Sequence, residues 1–437
     1  METATLLLFC AALLVCIVFD FSILLALAAG LVLFSVYGLK KGFSLPEIAH
    51  MCLNGIKTAR NILITFVLIG ILTALWRAAG TIPVIICCAA VLVVPSLFLL
   101  MAFLLNCLVS VLTGTAFGTA ATMGVVCAAM GSAMGIPKVL IGGAVLSGVF
   151  FGDRCSPVST SALLVAELTK TNIFDNIRGM VRTSAVPFLM TCLLYLGLGL
   201  MSPHGGAAMD LRAVFGREFS LHWAALLPAA LILVLSLKRV NVKIAMTASI
   251  LSAVPICLFL QRIPAAELLT FALTGFKARD AEVAAMMSGG GISSMVKVGA
   301  IVCLSSAYSG IFQETGLLDG LKSSILRLSQ AVTVFGATLV TAVISGAIAC
   351  NQTLAIMLTN QLCRSARGDK RAFAMDLENS VVVTAALIPW SIAGGVPLAS
   401  VGAPSSSMVF AFFLYLLPLW RLSVEIAGRK RKKPSGS

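Results

Sequence analysis

The chain has 437 residues, of which 59% are hydrophobic and only 11% are charged, and its formal net charge is +14. Soluble globular proteins carry about 25% charged residues, because positions that face water must be solvated. This composition, with a mean hydropathy of +1.04, excludes a soluble enzyme, a disordered chain, a collagen and a disulfide scaffold. It indicates a polytopic membrane protein.

The basic residues form short clusters between apolar stretches, which is typical of cytoplasmic loops and not of a nucleic-acid-binding surface. In chain order, the clusters fall at 40–41, 238–239, 364–371 and 429–433. Residues 3–19 lack a basic flank and a small-residue cleavage site, so we expect a retained span and not a signal peptide. We therefore expect a multi-pass protein of the cytoplasmic (inner) membrane, in contact with the lipid bilayer, with no nucleic-acid partner and with both termini in the cytoplasm.

Long uncharged runs indicate the number and type of the spans. Sixty residues without Asp, Glu, Lys or Arg separate Arg77 from Lys138, and 42 such residues separate Glu378 from Arg421. One helical crossing takes about 20 apolar residues. The runs are apolar throughout, whereas the strands of a membrane barrel alternate in polarity. We therefore predict an all-α fold with roughly ten to thirteen membrane elements.

The sequence lacks the motifs of common enzyme and cofactor sites. It has no H-E-x-x-H zinc motif and no P-loop, and its 13 cysteines are scattered through apolar runs without a C-x-x-C pair. We therefore expect no enzymatic activity, no cofactor, no structural metal and no disulfide framework. Without a nucleotide site, an ion gradient would have to drive transport.

An internal repeat runs through the apolar segments. At an offset of 232 residues, segment 109–114 aligns with segment 341–346, Pro157 aligns with Pro389, and Ser159 aligns with Ser391. Secondary transporters are commonly built from two repeats, with the binding site at their interface near the bilayer midplane. We predict two repeats, expected to be inverted, in this order: N-terminal transmembrane helices with a cytoplasmic loop (1–49), repeat 1 (50–200), connecting transmembrane segments (201–285), repeat 2 (286–420) and a basic cytoplasmic tail (421–437).

Each repeat contains two stretches rich in Gly, Pro and small polar residues within an uncharged run. Segments 113–122 and 345–353 predict the tips of re-entrant hairpins, because glycine permits a turn and polar side chains replace lost backbone partners. A small-residue face for helix packing is the alternative. Segments 152–161 and 388–395 each contain a proline, which removes a backbone donor. They predict the unwound centres of two discontinuous helices.

Charged residues inside membrane segments are costly and mark candidate functional sites. Asp153 and Arg154 lie at the first predicted break, and Glu378 lies ten residues before the second. A carboxylate beside open backbone carbonyls suits a hard cation such as Na⁺, and the same carboxylate can bind H⁺ instead. The alternatives are an Asp153–Arg154 ion pair that holds a loop, and a position for Glu378 near the start of a span.

Several segments carry a family resemblance in addition to this chemistry. They include Gly-Thr-Ala-Phe-Gly-Thr-Ala-Ala-Thr-Met-Gly (114–124), Ser-Gly-Val-Phe-Phe-Gly-Asp (147–153), Leu-Glu-Asn-Ser (377–380) and Leu-Ile-Pro-Trp (387–390). Together they resemble the NhaC-type Na⁺/H⁺ antiporter family, a branch of the broad ion-transporter superfamily. The resemblance covers most of residues 50–420. It implies Na⁺/H⁺ antiport, paired hairpins, broken helices, elevator-type motion and a homodimer.

The expected binding residues follow from these motifs. We expect Asp153 to be the ligand that Na⁺ and H⁺ share, and Glu378 to tune or share the proton. The other expected ion or substrate ligands are Arg154, Ser156, Ser159, Thr160, Thr119, Asn351 and Ser391.

The sequence departs from the family pattern at four positions near this site. The pattern has Asp where Thr160 and Asn379 stand, Asn where Ser391 stands, and often Lys where Arg154 stands. Because these changes remove acidic groups, a Na⁺- or H⁺-coupled carrier of a small organic carboxylate or amino acid is the alternative function. A non-transporting membrane scaffold would not need paired breaks around a buried acid.

Overall fold

The computed structural model describes residues 2–19, 21–92, 94–157, 159–201, 211–238, 240–315 and 333–432. These residues contain no β-strand, only one isolated antiparallel bridge between Phe276 and Gly289. The predicted all-α class is therefore confirmed. Segment 433–437 of the predicted basic tail lies outside the described residues, as does Val158 in the first predicted break.

The described α-helices are, in chain order, α1 (Glu2–Val18), α2 (Ile23–Lys40), α3 (Leu45–Thr58), α4 (Arg60–Ala78), α5 (Thr81–Leu92), α6 (Phe98–Thr113), α7 (Ala116–Thr119), α8 (Val125–Ala133), α9 (Lys138–Cys155), α10 (Thr160–Thr169), α11 (Ile173–Met201), α12 (Leu211–Gly216), α13 (Leu227–Leu237), α14 (Val242–Pro255), α15 (Ala265–Thr274), α16 (Ala281–Met287), α17 (Gly291–Thr315), α18 (Val334–Ala349), α19 (Gln352–Cys363), α20 (Lys370–Asn379), α21 (Val381–Thr384), α22 (Ile392–Ser400) and α23 (Phe412–Lys432).

Many of these helices are long and apolar enough to cross a membrane. By length and composition, five continuous helical segments of the described chain qualify, and three further pairs of helices qualify if each bent pair is one span. Five shorter apolar helices of 10–17 residues accompany them. The chain is thus a multi-pass membrane protein, and the expected ten to thirteen elements stay a prediction.

The two predicted repeats appear as two series of helices in the same order. Helices α6 and α18 begin and end 236 residues apart, whereas α10 and α22 begin 232 residues apart. The segment between the hairpin and the break is therefore four residues shorter in the second repeat. The duplicated arrangement is confirmed, and its inversion stays a prediction.

The sequence alignment of the hairpin region is wrong by one helical turn. The left-handed residues that end α6 and α18 are Gly114 and Cys350, with φ of 66° and 56°. Gly114 therefore corresponds to Cys350, and not to Gly346 as the offset of 232 implied. A shift of four residues keeps the same helix face, so small residues still matched in the wrong register.

Helices α6 and α9 pack closely, and glycine makes this possible. A Cβ atom at Gly152 would lie 2.3 Å from the Cβ of Ser110 and 2.5 Å from the backbone nitrogen of Val111. One turn earlier, a Cβ atom at Gly148 would lie 2.6 Å from the carbonyl oxygen of Phe103. Small residues spaced four apart let two membrane helices approach to backbone contact. This contact fixes the end of α9, where Asp153 lies.

We expect Gly152→Ala to lower the free energy of unfolding by about 1–3 kcal/mol, the usual cost of overpacking. The measurement is the midpoint of thermal unfolding of the purified protein in detergent. The control is Gly197→Ala in α11, because a Cβ there would have no neighbour within 4 Å and alanine favours a helix over glycine. Equal midpoints for the two variants would contradict the close packing.

Candidate functional site

The first helix break lies where α9 ends and α10 begins. The two helix axes meet at 42°. Ser156 is extended, with φ of −96° and ψ of 134°, and the following proline has no N–H to continue the helix. The side chain of Ser159 caps α10 by accepting the backbone N–H groups of Ser161 and Ala162. The break leaves the last carbonyl groups of α9 without intrahelical partners.

The second break repeats this construction. Helices α20 and α21 with the turn that follows them, Lys370–Leu387, meet α22 at 57°. Ile388 is extended, Pro389 follows it, and the side chain of Ser391 caps α22 by accepting the N–H of Ala393. Each break therefore combines an extended residue, a proline and a serine cap. Both predicted discontinuous helices are present.

The hairpin turns also share one construction. After Gly114, the side chain of Thr115 caps α7 by accepting the N–H of Gly118. After Cys350, the side chain of Asn351 caps α19 by accepting the N–H of Leu354. Each helix thus ends at a left-handed residue, and a polar cap starts the next helix.

The carboxylate of Asp153 lies where the first break and both hairpin turns meet. Ser159 Oγ donates to its Oδ1 at 3.0 Å, and Ser161 Oγ donates to its Oδ2 at 2.8 Å. From the first hairpin turn, the backbone N–H of Ala116 donates to the same carboxylate. From the second, Gln352 Nε2 donates to Oδ2 at 3.4 Å. Asp153 therefore receives donors from both repeats.

Every one of these donors is electrically neutral. The Asp153 residue is only 4% exposed, and no described basic side chain forms an ion pair with it. Burying an ionised carboxylate is costly unless a charge or several hydrogen bonds compensate it. The site thus supplies hydrogen bonds and leaves the charge itself without a contacting cation.

Arg154 is fully buried and points away from Asp153, into the scaffold. Its Nε donates to the carbonyl oxygen of Glu378 at 3.0 Å, and its Nη2 donates to Asn379 Oδ1 at 2.7 Å. Its other donors reach α11, at the Met180 carbonyl and the hydroxyl groups of Thr183 and Ser184. Arg154 therefore holds α9, α11 and α20 together. The expected Asp153–Arg154 ion pair is absent from the described contacts.

Glu378 is fully buried, and its carboxyl group has no hydrogen-bond partner among the described residues. It is close enough to Arg154 and Asp153 to interact with their charges. Asp376, two residues earlier, is equally buried but forms ion pairs with Arg367 and Arg421. One helix thus carries a paired acid and an unpaired acid.

The remaining predicted ligands lie at the predicted places, but their described contacts are structural. Ser391 and Asn351 cap helices, Ser156 Oγ donates to the Val111 carbonyl at 2.6 Å, and Thr119 Oγ1 bonds within its own hairpin turn. Thr160 is exposed, and its neighbour Ser161 reaches Asp153 instead.

Sequence reasoning missed Ser161 and Gln352. The structural offset of 236 places Gln352 opposite Ala116, the other residue that donates to Asp153 from a hairpin turn. The correct register of the repeat would therefore have drawn attention to Gln352. Ser161 lies two residues after a serine cap, and only the folded geometry shows that it turns back towards Asp153.

The sequence model of the Na⁺/H⁺ antiporter family matches residues 2–166 and 148–428 of this chain. The chain belongs to the Na⁺/H⁺ antiporter family. The predicted NhaC-type family is confirmed, and with it a membrane transporter that works by antiport.

Individual relatives are similar over most of their length. The NhaC Na⁺/H⁺ antiporter of Bacillus subtilis is 29% identical, over 89% of this chain and 88% of the relative. The malate-2H⁺/Na⁺-lactate antiporter of the same organism is 28% identical, over 93% of this chain and 88% of the relative. The arginine/ornithine antiporter ArcD of Halobacterium salinarum is 28% identical, over 86% of this chain and 80% of the relative.

We expect Glu378→Gln to leave the thermal midpoint nearly unchanged, because glutamine resembles a protonated, uncharged carboxyl group of the same size. We expect Asp376→Asn, the matched variant on the same helix, to cost about 3–5 kcal/mol, because it leaves buried arginine charge uncompensated. Thermal unfolding in detergent at neutral pH measures both. A large loss of stability in Glu378→Gln would show that Glu378 is ionised in this conformation.

Proposed function

We propose that the protein exchanges Na⁺ for H⁺ and that the two ions bind alternately to Asp153. One observation supports this proposal most strongly. A carboxylate that is 4% exposed, in a multi-pass membrane protein, is surrounded by neutral donors and has no contacting basic side chain. Such a group is stabilised by any small cation that reaches it, and both Na⁺ and H⁺ are small enough to enter.

The residues around Asp153 are suitable ligands for a hard cation. Hard cations prefer carboxylate, carbonyl and hydroxyl oxygens. The hydroxyl oxygens of Ser159 and Ser161 lie at the carboxylate, and Ser161 Oγ also lies 3.4 Å from the Asp153 carbonyl oxygen. Rotation of the two hydroxyl groups would turn their lone pairs towards Na⁺. We infer that Asp153, Ser159 and Ser161 bind the cation.

Charge balance assigns a role to Glu378. An ionised carboxylate without donors is strongly disfavoured in a buried position, so we infer that Glu378 carries a proton in this conformation. Asp153 and Arg154 then carry opposite charges, and the buried cluster is neutral. Arrival of Na⁺ would add one positive charge, which loss of the Glu378 proton would remove. Glu378 thus shares the exchanged proton.

We retain three further predictions as part of the proposal. The basic clusters place the chain in the cytoplasmic membrane with both termini inside. The two repeats are inverted, and their re-entrant hairpins and broken helices move together in an elevator-type motion. The protein is a homodimer. Crosslinking in membranes and labelling of single cysteines from each side would test the oligomer and the orientation.

Exchange of an organic substrate is the weaker proposal. Two relatives are named for organic substrates, malate with lactate and arginine with ornithine. A carboxylate-bearing substrate would need a free cationic anchor, and Arg154 already donates to Glu378, Asn379 and α11. The geometry around Arg154 therefore favours inorganic cations as the cargo.

We expect Asp153→Asn to abolish Na⁺-dependent proton flux. Proteoliposomes that contain a pH dye receive a Na⁺ pulse without any organic solute, and the wild-type protein should produce a proton flux that saturates with Na⁺. The matched control is Glu167→Gln, which changes an exposed acid on α10 and should retain wild-type flux.

Two results would contradict the proposal. Unchanged flux in Asp153→Asn would remove Asp153 from the ion path. Absence of flux in correctly inserted wild-type protein would favour the organic exchanger, and labelled lactate, malate, arginine and ornithine would then be supplied to the same vesicles.

We expect Ser161→Ala to raise the Na⁺ concentration for half-maximal antiport roughly tenfold, because a hydrogen bond to a charged group contributes about 1.5–3 kcal/mol. Thr160→Ala, one residue away and exposed, should change this concentration less than about twofold. The proteoliposome assay measures both variants. The reverse order of effects would show that Thr160 is the ligand, as the sequence alone suggested.

A further inference from the structure

Gln352 connects the second hairpin turn to both helix breaks. It is the first residue of α19, directly after the left-handed Cys350 and the cap Asn351. Its Nε2 donates to the carbonyl oxygen of Val382, in the helix that leads to the second break, at 2.8 Å. The same nitrogen donates to Asp153 Oδ2, at the first break, at 3.4 Å. Nothing in the sequence or in the names of the relatives assigns a role to this residue.

The two bonds differ in strength and in what can replace them. The bond to Val382 is short and joins two parts of the second repeat. The contact with Asp153 is long, and it joins the second repeat to the ion-binding acid of the first. A cation on Asp153 would compete with the Gln352 amide for Oδ2, and a weak contact is easily displaced.

A second observation shows that the hairpin turn and the breaks form one mechanical unit. The N–H of Ile392, at the start of α22, donates to the Cys350 carbonyl at 2.8 Å, and Trp390 Nε1 donates to the Ala347 carbonyl at 2.8 Å. The second break is thus fixed to its own hairpin. Among the described hydrogen bonds, the Gln352–Asp153 contact is what joins this unit to the ion-binding carboxylate.

An antiporter must prevent its empty form from crossing between its two orientations. If the empty carrier returned freely, the cargo would flow down its gradient without exchange. A contact that exists when Asp153 is empty and disappears when Asp153 is loaded satisfies this requirement, because a ligand shifts an equilibrium only through a difference in interaction between the two states.

We propose that Gln352 is a positioning residue that holds the second hairpin on the empty Asp153 and so couples the two fluxes. This inference rests on the proposed function, since it assumes that Asp153 binds the exchanged ions. A loaded Asp153 releases Gln352, the hairpin separates from the first break, and the carrier changes orientation. The empty carrier stays in place.

Two fluxes of ²²Na⁺ from proteoliposomes test this proposal. The first is exchange against external Na⁺, which needs only the loaded carrier. The second is net efflux into Na⁺-free medium at high and equal pH on both sides, with K⁺ and valinomycin to balance charge, which needs return of the empty carrier. In Gln352→Leu we expect exchange within about twofold of wild type and a roughly tenfold higher ratio of net efflux to exchange. A residue with a purely structural role would lower both fluxes together and leave this ratio unchanged.

Two further variants complete the test. Gln361→Leu replaces an exposed glutamine on the same helix and should keep the wild-type ratio. If Gln352→Leu does not fold, Gln352→Asn serves instead, because its amide is one methylene shorter and cannot reach both Val382 and Asp153. It too should raise the ratio. A wild-type ratio in a folded Gln352 variant would overturn the coupling role, whereas absence of ²²Na⁺ exchange in the wild-type protein would overturn the proposed function itself.

Discussion

A carboxylate buried in a membrane protein without a contacting basic side chain is the constraint on which the rest of the site depends. Asp153 needs hydrogen bonds to remain buried when it is ionised, and a membrane helix has no spare backbone donors. Interrupting α9 and turning two hairpins towards its end supplies these donors, from Ser159, Ser161, Ala116 and Gln352. Because all of them are neutral, the negative charge remains available to an exchangeable cation.

Duplication provides the scaffold, but the chemistry is asymmetric. Both breaks use a proline and a serine cap, and both hairpin turns use a left-handed residue and a polar cap. At the offset of the breaks, however, Ala385 and Ala386 stand where the first repeat has Asp153 and Arg154. The second repeat contributes Glu378, Asn379 and Gln352 instead. Asn379, where the family pattern has an acid, accepts a hydrogen bond from Arg154.

The sequence predicted what depends on local backbone chemistry. Proline and serine located both breaks, Gly114 located the first hairpin turn, and the uncharged runs gave the helical class. The second turn ends at Cys350 with a positive φ, which no sequence signal announces, so the repeat was aligned one turn out of register there. Side-chain directions were also inaccessible. Successive residues of a helix point about 100° apart, so Asp153 faces the hairpins while Arg154 enters the scaffold.

The most direct test of the central claim is calorimetric titration of the purified protein with Na⁺, in buffers of different ionisation enthalpy, at the pH of half-maximal transport. If Na⁺ and H⁺ compete for the Asp153 site, binding must release protons, the apparent affinity for Na⁺ must fall as the pH is lowered, and Asp153→Asn must not bind Na⁺. Na⁺ binding without proton release, or binding that persists in Asp153→Asn, would contradict the account.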